Sequence, residues 1–196
     1  RRCLQPREAC DTTRGMQTLA RVFVAVLATA SLIGPGLAGC SVVDVQRERG
    51  SVDLRAKWAL LPVLDYSDST QAGGRVEETL SSLLRTRLRV EVTKYPAPTD
   101  SESPADLDER QRYQRALSWA KKGGFQYGIS GSVNEWRYRS GADGEAAIGL
   151  ALHVVEVDSG KTLWTASGSR SGWGRETASG TAQRLLRDML TKLESK

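Results

Sequence analysis

The chain has 196 residues, 39% hydrophobic and 26% charged, which gives room for one ordinary domain with a core of normal size and excludes a multidomain enzyme, a disordered chain and a polytopic membrane protein. Its formal charge of +5 is concentrated at the start: residues 1–39 hold five bases and two acids, so residues 40–196 keep 23 bases against 21 acids, a net +2. No run of five or more Lys and Arg interleaved with aromatics remains, and nucleic acid is set aside as a partner.

Residues 1–15, which include Cys3 and Cys10, precede Met16 and read as a non-native upstream start. Residues 16–39 read as a lipoprotein signal peptide. Arg21 opens a short n-region, Val22 to Ile33 is an apolar run too short to span a bilayer, and Gly34-Pro35-Gly36 breaks a helix. Leu37-Ala38-Gly39-Cys40 resembles the bacterial lipobox, which implies a diacylglyceryl thioether on Cys40, cleavage before it and acylation of the new amine. Two or three acyl chains hold a protein stably on a membrane, since each buried methylene contributes about 0.8 kcal/mol and one chain alone is marginal. Ser41 stands where lipoproteins retained at the inner membrane carry Asp, so the resemblance points to the periplasmic leaflet of the outer membrane. No cysteine follows Cys40, which leaves the mature domain no disulfide and no cysteine ligand or nucleophile.

Residues 40–56 are polar with no sustained period and are expected to be a lipidated tether, with a single globular domain over 57–196. Lys57 to Val63 is a short apolar run closed near Pro62, which suits a buried strand. From Gly73 a helix follows, with Val76, Leu80, Leu83, Leu84 and Leu88 at helical spacing. Val90 to Tyr95 predicts a second strand, and Pro96, Pro98 and Pro104 mark an acidic loop. The next helix carries Tyr113, Ala116, Leu117 and Ala120 on one face and stops at Lys121-Lys122-Gly123-Gly124. Three strands come next, Tyr127 to Tyr138, Ala146 to Val157 and Thr162 to Arg170, joined by turns at 141–144 and 158–160. A last helix bears Ala178, Ala182, Leu185, Leu186, Met189, Leu190 and Leu193. The order β-α-β-α-β-β-β-α predicts an α/β (α+β) domain, one mixed β-sheet with helices packed on it.

The residues offer little chemistry for catalysis, and no enzyme, metal or cofactor is expected. His153 is the only histidine; it lies inside a strand, far from the loop position of a triad histidine, and cannot form a multi-histidine metal site. Gly123-Gly124 and Gly172-Trp173-Gly174 lack the spacing that cradles a phosphate. Glu135 and Glu145 are expected to face each other across a hairpin, but nothing apolar surrounds them to separate their pKa values as glycoside hydrolysis needs. Trp173 sits between two glycines with Arg170 and Arg175 beside it, a composition that suits a lipid headgroup layer as well as a loop folded back on its own sheet.

Three stretches resemble one known family together: Trp58-Ala59-Leu60-Leu61-Pro62-Val63 followed by Gln71-Ala72-Gly73; Glu135-Trp136-Arg137-Tyr138 with Gly141 and Asp143-Gly144-Glu145; and Arg170-Ser171-Gly172-Trp173 with Arg175-Glu176. They look like the PelC family, outer-membrane lipoproteins of Pel exopolysaccharide export into the biofilm matrix. Ala146 stands where the family has Pro. The resemblance implies a fold similar to the N-terminal domain of TolB and a homo-oligomeric ring of twelve subunits on outer-membrane lipid. It also implies an acidic funnel that passes a cationic, galactosamine-rich polysaccharide to the outer-membrane porin PelB. Residue by residue, Cys40 matches the lipidated position and Trp173 the membrane-facing tryptophan, with Arg170 and Arg175 flanking it. Asp143 and Glu145 match the turn expected to guide the polymer. The alternative is a monomeric periplasmic lipoprotein that activates a cell-wall synthase; a tether of about 16 residues, under ~60 Å when fully extended, is short for that reach.

Overall fold

A strand that is covered on both faces must be apolar at every position, and a strand covered on one face alternates. Both kinds occur in the computed structural model, which describes residues 41–47, 52–96, 109–139, 144–172 and 176–194, all within the unit Gly39–Lys196. Its strands are β1 (Ser41–Arg47), β2 (Trp58–Asp65), β3 (Val92–Lys94), β4 (Tyr127–Arg139), β5 (Glu145–Glu156) and β6 (Thr162–Ser171). Its helices are α1 (Ala72–Thr86), α2 (Glu109–Lys122) and α3 (Ala178–Glu194). From Trp58 onward this is the expected order, and the strands form one mixed sheet, β1-β6-β5-β4-β2-β3. β2 runs parallel to β3 and β4, while β4, β5, β6 and β1 pair antiparallel.

The stretch expected to tether the domain differs. Ser41–Arg47 is the edge strand β1, in register from Ser41 opposite Arg170 to Arg47 opposite Trp164. Further along, Val52, Leu54 and Ala56 pack against the core. An edge strand buries little of either face, so its sequence can stay polar. Among its described side chains Val43 packs on the core, and the free edge of β6 supplies the ladder that recruits it.

α1 and α3 cover one face of the sheet. Trp58, Leu60, Ile129, Ile148, Leu150, Leu152 and Trp164 lie there, buried against Leu80 and Leu84 of α1 and Leu185, Leu186 and Met189 of α3. α2 covers part of the other face, its Ala116 and Ala120 lying close over Ala59, Leu61, Val155 and Val157. The small alanines let the helix approach, and β2 is therefore sandwiched between helices, which is why its first six residues are all buried. Beyond α2 this second face is floored by the short side chains of Ala147, Ala151, Ser167 and Ser169, the two serines of β6 exposed.

Pro62 in a central strand removes a donor from the ladder. The β2–β4 register shifts between Leu60 and Val63, and Ser130 donates its hydroxyl to the Pro62 carbonyl at 2.5 Å. The Val63 N–H donates instead to Glu77 Oε1 of α1 at 3.0 Å. Glu77 is a buried carboxylate, balanced by Lys94 Nζ at 3.1 Å. Burial alone would pull the Lys94 ammonium down, but its hydrogen bonds and charges with Glu78 and Glu77 hold it above its ordinary value. At the start of α1, the Gly73 N–H donates to Asp65 Oδ2 at 3.0 Å, which satisfies a helix-terminal donor with a carboxylate from the strand. A side chain at Gly73 would put its Cβ 2.8 Å from the Val63 carbonyl oxygen, so glycine is what lets α1 begin against β2.

Candidate functional site

Strand register decides which loops meet. Ser41, Arg170, Ile148 and Trp136 form one row across β1, β6, β5 and β4. Two rows further on, the Gly172 N–H donates to the Ala146 carbonyl at 2.7 Å, and Ala146 stands opposite Tyr138. The chain before Ser41, the turn between β4 and β5, and the loop between β6 and α3 therefore all leave the sheet from the same end. Sequence position alone scatters these features over more than a hundred residues; the antiparallel pairing of β1, β6, β5 and β4 gathers them.

Cys40, Asp143, Trp173 and Arg175 lie outside the described residues. Glu145 is the first residue of β5, half-buried opposite Arg139. Arg170 faces the helix-covered side, where its Nη1 lies 3.0 Å from Asp188 Oδ2 on α3, with 19% of its side chain exposed. Its charge is thus matched within the domain and ties α3 to the sheet at this end. Behind it, the Gly180 N–H donates to Thr177 Oγ1 at 3.1 Å and caps α3.

The uncovered part of the second face carries a groove of about 610 Å³ near the same end, bordered by Asp44, Asp68, Glu135, Tyr66 and Val42. Glu135 is paired with Arg137, whose guanidinium is held above its usual value by that hydrogen bond and charge. Asp44 and Asp68 escaped the sequence reading because one lay in the expected tether and the other in a loop. The expected pairing of Glu135 with Glu145 is corrected. Unbroken pairing back from the turn sets Glu145 opposite Arg139 and Glu135 opposite Gly149. Four residues of β5 separate the two positions, roughly 13 Å, so the hairpin brings no two carboxyls together across one bond.

His153 lies under α2. Its Nε2 is 3.5 Å from the Tyr113 hydroxyl and the rings are 6.0 Å apart. Burial holds the His153 imidazole below its ordinary 6.5 and raises the Tyr113 phenol. A lowered folded pKa means the unfolded chain takes up the proton more readily. The contribution of neutral His153 is therefore complete above 6.5 and is lost as pH falls through the folded value. Urea unfolding should show stability declining from pH 7.5 to 5.5, and His153→Gln should flatten that decline. An unchanged slope in the variant would refute the assignment.

No protein-family model matches the chain, and no curated protein matches its sequence. Its fold and sequence are similar to solved structures of the PelC dodecamer from Paraburkholderia phytofirmans. One is 27% identical with a TM-score of 0.66, covering 80% of this chain and 99% of that one. The second, a point variant in another crystal form, is 27% identical with a TM-score of 0.65, covering 80% and 100%. The chain is PelC-like.

Proposed function

We propose that this PelC-like chain is a non-catalytic lipoprotein of the outer membrane, anchored in the periplasmic leaflet through Cys40. Twelve copies form a ring that guides a cationic, galactosamine-rich polysaccharide toward the outer-membrane porin PelB for export. The observation that carries the reading is the convergence at one end of the sheet. Ser41 follows Cys40 directly and is already in β1, the loop holding Trp173 and Arg175 starts beside Ala146, and the turn holding Asp143 precedes Glu145. Anchor, interfacial tryptophan and turn acids thus belong to the mouth of the ring nearest the membrane, the mouth from which a polymer would pass to a porin in that membrane. Arg170 supports this end from within, through Asp188. The similarity to a PelC dodecamer supports the ring.

A synthase activator must reach far from its membrane, and a domain whose edge strand begins one residue after the anchor has no slack for that. Guiding needs only weak contacts. An exposed pair contributes ~0 to 1 kcal/mol, and repetition around a ring supplies the rest. The double variant Asp143→Asn, Glu145→Gln is expected to reduce polymer secretion several-fold while melting temperature and ring size stay unchanged. Secretion at the unsubstituted level would remove these residues from the polymer path.

A further inference from the structure

We infer that Tyr138 is an interfacial anchor, seated in the headgroup layer of the membrane that holds Cys40. The inference rests on the reading that Cys40 is lipidated, and it adds a contact on the far side of the sheet end from that anchor. β2 ends opposite Val133, but β4 continues to Arg139, so the β4–β5 hairpin projects beyond β2. Tyr138 is on this projection. It stands two residues past Trp136, the β4 member of the row that contains Ser41. Cys40 is one residue past Ser41. Along the strands, Tyr138 then lies two residues past the row of Ser41, ~7 Å, and across them three strand spacings from β1, ~14 Å. A membrane held next to Ser41 and lying across this end of the sheet meets Tyr138 as well. Between the two, the loop of Trp173 leaves from Gly172, which is bonded to Tyr138's own cross-strand neighbour Ala146.

Exposure separates Tyr138 from its strand. Trp136, on the same face, is 7% exposed and belongs to the core, whereas Tyr138 is 50% exposed. Among the described residues the exposed large apolar side chains are Val42, Val45, Tyr66 and Tyr138. Val42 lies two residues after Cys40, Tyr66 directly after the end of β2, and Tyr138 at the projecting tip. At the opposite end, the turns at 121–124 and 158–161 offer only Lys, Gly, Asp and Ser, all exposed. Three of the four therefore lie toward the anchored end, and Val45, opposite Ala166, lies mid-sheet. A tyrosine ring with a terminal hydroxyl suits the boundary between acyl chains and headgroups, where one end is dry and the other wet. Arg137 beside it is already paired with Glu135, so the ring, and not a free charge, makes the contact.

The test is hydroxyl-radical footprinting of the unsubstituted lipoprotein on vesicles of mixed zwitterionic and anionic phospholipid, against the mature Cys40→Ser protein in solution. Oxidation of Tyr138 is expected to fall several-fold on vesicles only, with Trp119 of α2 unchanged. Vesicle binding without protection of Tyr138 would overturn this inference alone and leave the lipid anchor standing. Equal protection in both samples would mean that a neighbouring chain covers the ring, and would also overturn it. Failure of the lipoprotein to bind vesicles at all would overturn the anchor reading and this inference with it.

Discussion

Cys40→Ser is expected to remove the protein from the outer-membrane fraction and to abolish polymer secretion. The size of the effect comes from the acyl chains: at about 0.8 kcal/mol per buried methylene, two or three chains exceed any contact a loop tryptophan could add. β1 makes the consequence sharper. Because Ser41 is already paired with Arg170, the anchor orients the whole sheet, and its loss removes both attachment and orientation. The fold itself should be untouched, since β1 to α3 all follow residue 40, so the melting temperature of the variant should match that of the unsubstituted domain. Mass spectrometry of the mature protein should find a lipid-modified Cys40 as the first residue. An unmodified N-terminus, or a Cys40→Ser protein that still sediments with the outer membrane, would contradict the prediction.

Trp58→Ala is expected to cost roughly 3 to 5 kcal/mol, the range for emptying a fully buried indole site. Trp58 has no exposed surface. Its ring lies 5.2 Å from that of Tyr127, and its Nε1 donates to the Asp53 carbonyl at 3.1 Å. Removing it opens a cavity between β2 and α1 and frees the segment around Asp53 that leads in from β1. Against a typical total of about 5 to 15 kcal/mol, that is a large share, equivalent to roughly 6 to 20 °C of melting temperature for a domain of this size. Denaturant unfolding of the variant measures it directly. A loss below about 1 kcal/mol would mean that β2 is not enclosed between α1 and α2.

Trp58 also illustrates what the sequence makes legible. A continuous apolar run is the mark of a strand buried on both faces, and Trp58 to Val63 is one. Helices α1 and α3, with their leucines at regular spacing, declare themselves the same way. β1 does not: of its three valines Val43 packs on the core while Val42 and Val45 stay exposed, which is no pattern, and only the free edge of β6 gives it a place. Glu135 and Glu145 do not face each other because β4 runs on to Arg139, so that regular pairing from the turn carries Glu135 four residues along β5, to Gly149. Arg170 reads as a surface cation until α3 folds back and brings Asp188 to it. The bonds that accommodate Pro62, from Ser130 and from Val63 to Glu77, join residues far apart in the chain and leave no local trace. Cys40, Asp143 and Trp173 are legible as motifs; what the fold adds is that the segments carrying them leave the sheet from one end.

Assembly at a membrane is tested most directly by the mass of the intact protein in solution. Native mass spectrometry or light scattering of the purified, lipidated protein, with detergent or lipid present, should give a single closed species of twelve copies, as in the PelC dodecamer to which the chain is similar. A species that stays monomeric at high protein concentration, with lipid supplied, would contradict the ring and with it the reading of this protein as an export guide.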